Sequence, residues 1–321
     1  MNLNFDISNL PSFSIYTGLL LIVLVIDHWV AIPQKYHPIY FFRILLTRLS
    51  DKVHPSNSRS KKQQYISGSL AILAAVLPWV LLCYLFIPFT EYPLFFEAVI
   101  LWLSLNLRSH KTAINNVEKA LHSGQKALAK DRLSDWCLRK TDNLSSVGLI
   151  KASCESLVLR NCYYNQAIAL FFLLLGPFAA LALRLTLEAN QVWSAKKPRF
   201  IHFGQPIRWL THFLLLPVTW ITTCINCLLV NPVKLFAIIR QARPSWQYAL
   251  SLKLLAAASL ASRCQLGGPV IYDEDKIRRA KLSQHPLPDI SRIKATTHFC
   301  VNQNLLLLLM VLIANCAIIY F

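Results

Sequence analysis

The run QAIALFFLLLGPFAALALRLTL, residues 166–187, decides how this chain is threaded. It is long enough and apolar enough to cross a membrane, where about 20 such residues suffice. Gly176-Pro177 nevertheless stands in its middle. A proline there removes a backbone donor and clashes with the turn before it. Read as one span, the run carries the chain to the other side; read as two helices meeting at Gly176, it dips in and returns. Pro217 raises the same question in the apolar run 209–230. Four further segments, about 14–31, 66–89, 93–107 and 302–321, are apolar over a length that reaches or nearly reaches a span.

Loop charge arbitrates between the two readings. The chain of 321 residues is 55% hydrophobic and holds 33 Lys and Arg against 15 Asp and Glu. Basic residues outnumber acidic ones in each of the polar segments 34–65, 108–165, 188–208 and 231–300. Positive loops face the cytoplasm. All four lie on one side only if neither proline-interrupted run crosses. The expectation is an all-α polytopic membrane protein in one domain, 1–321: an outside N-terminus, three spans, an inner region over about 108–300 and a final span. Because the charge sits between apolar runs, it points to membrane lipid as a partner and excludes nucleic acid.

Within the inner region, RSHKTAINNVEKALHSGQKALAKDRL (108–133) places Ile114, Val117, Leu121 and Leu128 at helical spacing, which predicts one amphipathic helix. No strand alternation stands out. The nine cysteines are scattered and read as reduced core thiols. Cys224 and Cys227, three apart on an apolar helix, read as packing residues. No phosphate-binding glycine loop and no metalloprotease or hydrolase motif is present.

Several polar residues stand out against this background. Asp27, with His28 and Trp29, ends the first span as an interfacial anchor or a functional acid, and Glu97 near the outer end of the third poses the same choice. His37 lies at a polar boundary between Pro33 and Pro38, as a structural imidazole or a ligand contact. In CQLGGPVIYDED (264–275), Gly267-Gly268 ends the preceding helix with positive φ and Pro269 stops it from resuming. The acids Asp273, Glu274 and Asp275 then stand beside Lys276, Arg278 and Arg279, as a phosphate or metal site or as a solvated loop.

Gln265-Leu266-Gly267-Gly268-Pro269 with Tyr272 resembles the Q-L-G-G-P-x-x-Y signature of the adenosylcobinamide-phosphate synthase (CbiB/CobD) family. The resemblance runs nearly the whole chain. Asp27, Pro33 and His37-Pro38 resemble its N-terminal D-x-x-x-G-D-P and H-P; Arg108-Ser109, Arg132-Leu133 and Arg139 with Thr141 resemble its loop ending in G-R-D-T. Glu155 resembles the first acid of E-T-x-x-E-N-x-x-D-G, and Phe203-Gly204 with Arg208 resembles F-G and S-A-R. The resemblance implies an enzyme of the bacterial inner membrane, its main loops cytoplasmic, that joins adenosylcobyric acid to aminopropanol or its phosphate using ATP and Mg²⁺. It implies a catalytic role for Glu155 and substrate binding, of a corrinoid among others, by His37, Arg139, Arg208, Gly267, Gly268 and Tyr272. No metal ligand set is identified.

The sequence departs from the family pattern where that pattern carries acids: Ile32, Lys140, Leu159, Tyr163 and Asn190 stand at those positions, and neutral residues near Leu210-Thr211 replace a pair of aspartates. Glu155, Glu188 and the cluster 273–275 remain as substitutes. The AmpE regulatory proteins of β-lactamase induction, more distantly similar, have a non-enzymatic role. A ligase and a catalytically degenerate binding or regulatory protein are therefore both open.

Overall fold

The computed structural model describes residues 11–320 except 31–36, 55–59, 106, 135, 138, 140, 243–245, 273–274, 278 and 284. Among the described residues the chain is helical almost throughout, as expected. The helices begin with α1 (Ser12–Trp29), α2 (Pro38–Val53), α3 (Lys61–Phe86) and the short α4 (Pro93–Leu105). Next come α5 (Leu107–His122) and α6 (Lys126–Ser134), which form a hairpin, and then α7 (Ser146–Arg160). A π-helical turn, Asn161–Gln166, joins α7 to α8 (Ala167–Leu175), and α9 (Pro177–Val192) follows. The chain closes with α10 (Gln205–Leu229), α11 (Pro232–Ala242), α12 (Trp246–Ala261) and α13 (Ser291–Tyr320).

Local chemistry explains the helix starts. The Ser60 side chain accepts the N–H of Gln63 at the head of α3, and Ser145 accepts that of Gly148 at the head of α7. His37 does the same for α2 through Nδ1 and Ile39 N, with Pro38 in the first turn, where its missing donor costs nothing.

Five helices are long and apolar enough to cross a membrane: Ser12–Trp29, Lys61–Phe89, Ser146–Leu175, Gln205–Leu229 and Ser291–Tyr320. Large apolar side chains stand exposed along them, among them Ile22, Leu82, Leu305 and Ile313. A soluble fold does not leave such a continuous apolar surface in water. α4, expected as a third span, is 13 residues long. At 1.5 Å per residue it reaches about 20 Å, short of a hydrocarbon core.

The two proline-interrupted runs behave differently. At Gly176, φ is +85°, a backbone that only glycine adopts without strain, and the chain folds back there so that α9 packs against α8. The expected hairpin break is present. At Pro217 it is not: α10 continues unbroken from Gln205 to Leu229. Thr219 and Thr223 donate their hydroxyls to Leu216 O and Thr219 O, so side-chain hydrogen bonds supplement the backbone ladder beyond the proline.

Two smaller expectations are also revised. The segment 108–133 is not one helix, because the chain turns at residues 123–125. Ile114, Val117 and Leu121 are buried on α5, whereas Leu128 lies on α6 and is exposed. The polar run after Gly268 contains a small antiparallel ribbon, β1 (Val270–Tyr272) and β2 (Asp275–Ile277), with Val270 opposite Ile277 and Tyr272 opposite Asp275. These two short strands leave the all-α class intact.

Candidate functional site: a basic cleft over a buried glutamate

α7 carries the centre of the site. Glu155 on its inward face is 1% exposed. Its Oε2 accepts from Arg139 Nη2 and, at 2.8 Å, from Arg279 Nη2; its Oε1 accepts the N–H of Gly267 at 2.9 Å. Arg279 Nε also donates to Gly268 O at 3.2 Å. One buried carboxylate thus ties together the loop before α7, the diglycine turn and the chain just after the ribbon. An isolated carboxylate could not be buried in this way; two guanidiniums and an amide supply what water would.

The diglycine turn has the geometry its sequence predicts. Gly267 has φ +76° and Gly268 +84°. A Cβ on Gly267 would lie 2.4 Å from Ala280 O, so the return strand approaches too closely for any side chain. Gly268 N donates to Ala280 O, and Leu282 N to Leu266 O. The hairpin is therefore closed by its own backbone as well as by Glu155.

A cleft of about 210 Å³ opens beside Glu155. Arg139, Arg160, Lys196, Arg208 and Arg279 line it, and Glu155 is the one carboxylate among its lining residues. The Arg160 guanidinium lies 4.9 Å from the centre of the Trp136 ring and donates to Trp136 O. Arg208 sits over Tyr248 at 5.4 Å, and its Nη2 is buried with no hydrogen-bond partner. Its charge is thus aimed at the cleft and left for a ligand to satisfy. The arrangement is suited to an anion of more than one charge, such as a phosphate monoester or pyrophosphate.

Behind the cleft wall lies a second buried acid, Glu188. Its Oε2 accepts from Arg43 Nε at 2.6 Å and its Oε1 pairs with Arg184 Nη2 at 3.0 Å. The Tyr164 ring lies between Arg184, at 4.7 Å, and Arg160, at 5.5 Å. Its hydroxyl donates to Gln191, which also accepts from Arg43. The wall of the cleft is thereby tied to α2 and to its cap. Burial, with the Arg184 charge beside it, holds the His37 imidazole down at about 4, so the ring is neutral and accepts the Ile39 N–H.

Of the residues singled out from sequence, Glu155, Arg139, Arg208, Gly267 and Gly268 come together at or around the cleft. His37 does not line it and caps α2 instead. Tyr272 pairs through its backbone with Asp275 in the ribbon, while Pro33, Lys140, Asp273, Glu274 and Arg278 lie outside the described residues. Leu159, Tyr163 and Asn190, three positions where the family pattern has acids, all line the cleft. Sequence reasoning missed Arg43, Arg160, Arg184 and Tyr164. A signal was available for one pair: Arg184 and Glu188 are four apart in an otherwise apolar stretch, where unpaired charge is costly.

A resident Mg²⁺ does not fit this cleft. Its one carboxylate already accepts from two arginines and an amide, and no cluster of three or more His, Cys, Asp or Glu side chains exists among the described residues. Magnesium prefers free carboxylate oxygens in an octahedral set.

The family model for CobD/Cbib protein matches residues 20–300 of the chain. A cobalamin biosynthesis protein CobD of Chromobacterium violaceum is 27% identical over 277 residues, covering 84% of this chain and 88% of that protein. A cobalamin biosynthesis protein CobD of Stutzerimonas stutzeri is 26% identical over 272 residues, with the same coverage of each chain. No solved structure matches. With the match extending over most of its length, from α1 to the first third of α13, the chain belongs to the CobD/CbiB protein family.

Proposed function

We propose that the chain serves cobalamin biosynthesis by holding a phosphate-bearing partner of a corrinoid amide synthesis in its basic cleft. The reaction is the ATP-dependent joining of adenosylcobyric acid to aminopropanol or its phosphate. One observation carries this reading: five cationic side chains face a cleft whose single acid is already neutralised, and one of the five, Arg208, presents a buried N–H with no partner. An amide synthesis driven by ATP releases phosphate, and preorganised guanidiniums stabilise the charge on it. Any Mg²⁺ would arrive with the nucleotide's phosphates rather than be held by this chain's carboxylates.

A second reading has its own support. Leu159, Tyr163 and Asn190 line the cleft where the family pattern has acids, which favours a binding or regulatory protein that no longer catalyses. The deciding experiment supplies this gene, at verified membrane expression, to a strain that lacks its own adenosylcobinamide-phosphate synthase and is fed cobyric acid. Growth that is lost with Arg208→Gln is the expected result. Failure to grow, while the purified protein still binds pyrophosphate in a salt-sensitive manner, would overturn the catalytic reading in favour of the second.

A further inference from the structure

A second polar cavity, of about 390 Å³, lies across α7 from the basic cleft. Asp27, Arg108, Lys111 and Thr297 line it together with the amides of Asn161, Asn165 and Asn304. It shares Leu24, Asn165 and Asn304 with an adjoining apolar groove of about 90 Å³. That groove is walled by Leu20 of α1, Leu170 and Leu173 of α8, and Leu307, Leu308 and Val311 of α13. Polarity therefore changes along one continuous depression, from charged, to amide, to hydrocarbon.

The charged end is built rather than incidental. Asp27 Oδ2 accepts the backbone N–H of Arg108, and Arg108 Nη1 donates to the carbonyls of His28 and Trp29 at the end of α1. That locks the head of α5 against α1 and consumes the Asp27 carboxylate in a structural contact. Lys111, one turn further along α5, is exposed and has no ion-pair partner among the described residues. Asn165 is 9% exposed and its Oδ1 has no donor, although its Nδ2 is bound to Asn161. A buried acceptor without a donor marks a place where a ligand hydroxyl or water belongs.

We infer that this depression binds one anionic glycerophospholipid whose head group carries hydroxyls, as phosphatidylglycerol does. The phosphate would face Lys111, a head-group or backbone hydroxyl would donate to Asn165 Oδ1, and the start of one acyl chain would lie against Leu20, Leu170 and Leu307. Charge complementarity selects the anionic lipid, since basic pockets between membrane helices recognise phosphate head groups. The apolar groove selects a lipid over a free anion, because only an amphiphile gains by covering leucine and phosphate sites together. The site is separate from the basic cleft and does not depend on the reaction proposed for it.

The full chain, purified in mild detergent and stripped of lipid, is offered equal amounts of dioleoyl-phosphatidylglycerol and dioleoyl-phosphatidylcholine, and retained lipid is read by native mass spectrometry. One phosphatidylglycerol per chain should be kept in preference. Lys111→Gln, at an exposed position that leaves the fold intact, should lower that preference about fivefold, the factor one basic side chain near an anionic surface supplies. Leu308→Trp, which fills the groove, should reduce retention of either lipid. Equal retention of the two lipids by the native chain, or displacement of phosphatidylglycerol by millimolar inorganic phosphate, would overturn the inference.

Discussion

At the scale of single residues, the diglycine turn separates two costs that usually travel together. Both glycines have positive φ, which strains any L-residue by about 1–2 kcal/mol. Their surroundings differ. A Cβ on Gly268 meets Lys151 Nζ at 3.3 Å and Lys281 Cγ at 3.8 Å, both on flexible side chains, whereas on Gly267 it meets backbone, Ala280 O, at 2.4 Å. Gly268→Ala should therefore lower stability by about 1–2 kcal/mol from backbone strain alone, and Gly267→Ala by clearly more. Thermal unfolding of the two variants in one detergent measures the difference, and equal losses would mean that the return strand yields freely. The positive φ at these positions was legible from the Gly-Gly-Pro order. The carboxylate that binds Gly267 N was not, because Glu155 is more than a hundred positions away and only packing brings it there.

Among elements, α2 shows how a helix cap becomes sensitive to pH. His37 accepts the Ile39 N–H only while neutral, and burial beside Arg184 and Arg43 lowers its pKa from 6.5 to about 4, against a smaller opposing effect of Glu188. The unfolded chain binds that proton at higher pH than the folded one. The stability contributed by neutral His37 is thus complete above about pH 6.5 and is lost as pH falls toward 4. His37→Asn keeps a side-chain acceptor at the cap but does not titrate. Its unfolding temperature should fall less than that of the native chain between pH 6.5 and 4.5; parallel curves would assign the acid sensitivity elsewhere.

The π-helical turn between α7 and α8 carries a second element-scale device. Asn161 donates to Gln303 on α13, Gln303 to Asn226 on α10, and Gln166 to Asn304, while Thr222 donates to Gln166. Five amide-bearing positions thus join the π-helical turn to two apolar helices, α10 and α13. Gln303→Leu leaves the Asn161 donor and the Asn226 acceptor without partners and should cost about 1–2 kcal/mol, within the range seen for buried polar groups inside helical bundles. Adding Asn226→Leu should cost less than the sum of the two single changes, since the orphaned acceptor is removed with it. Strict additivity in chemical or thermal unfolding would show that the two side chains act independently.

At the scale of the whole molecule, the loop-charge argument predicts that the turn at residues 123–125 faces the cytoplasm and the link at residues 90–92 faces out. Reporter insertions after Ser123 and after Thr90 should give opposite signals. A periplasmic signal at Ser123 would remove the basis for placing the α5–α6 hairpin inside.

Composition and patterning alone determined that this chain is an all-α membrane protein, and they located the break at Gly176 and the turn at Gly267-Gly268; Glu155, Arg139 and Arg208 were singled out by resemblance to a family signature. These features are local: apolar length, proline and glycine backbone chemistry, and motif identity are read one segment at a time. Only the tertiary structure decided that α10 runs through Pro217, that His37 caps a helix instead of lining the cleft, and that Leu128 leaves the amphipathic face of α5. It alone joined Glu155 to Arg279 and Glu188 to Arg43, at separations of 124 and 145 residues. A buried charge is tolerated only where its partners converge, and that convergence is set by the packing of whole helices, which no local pattern encodes.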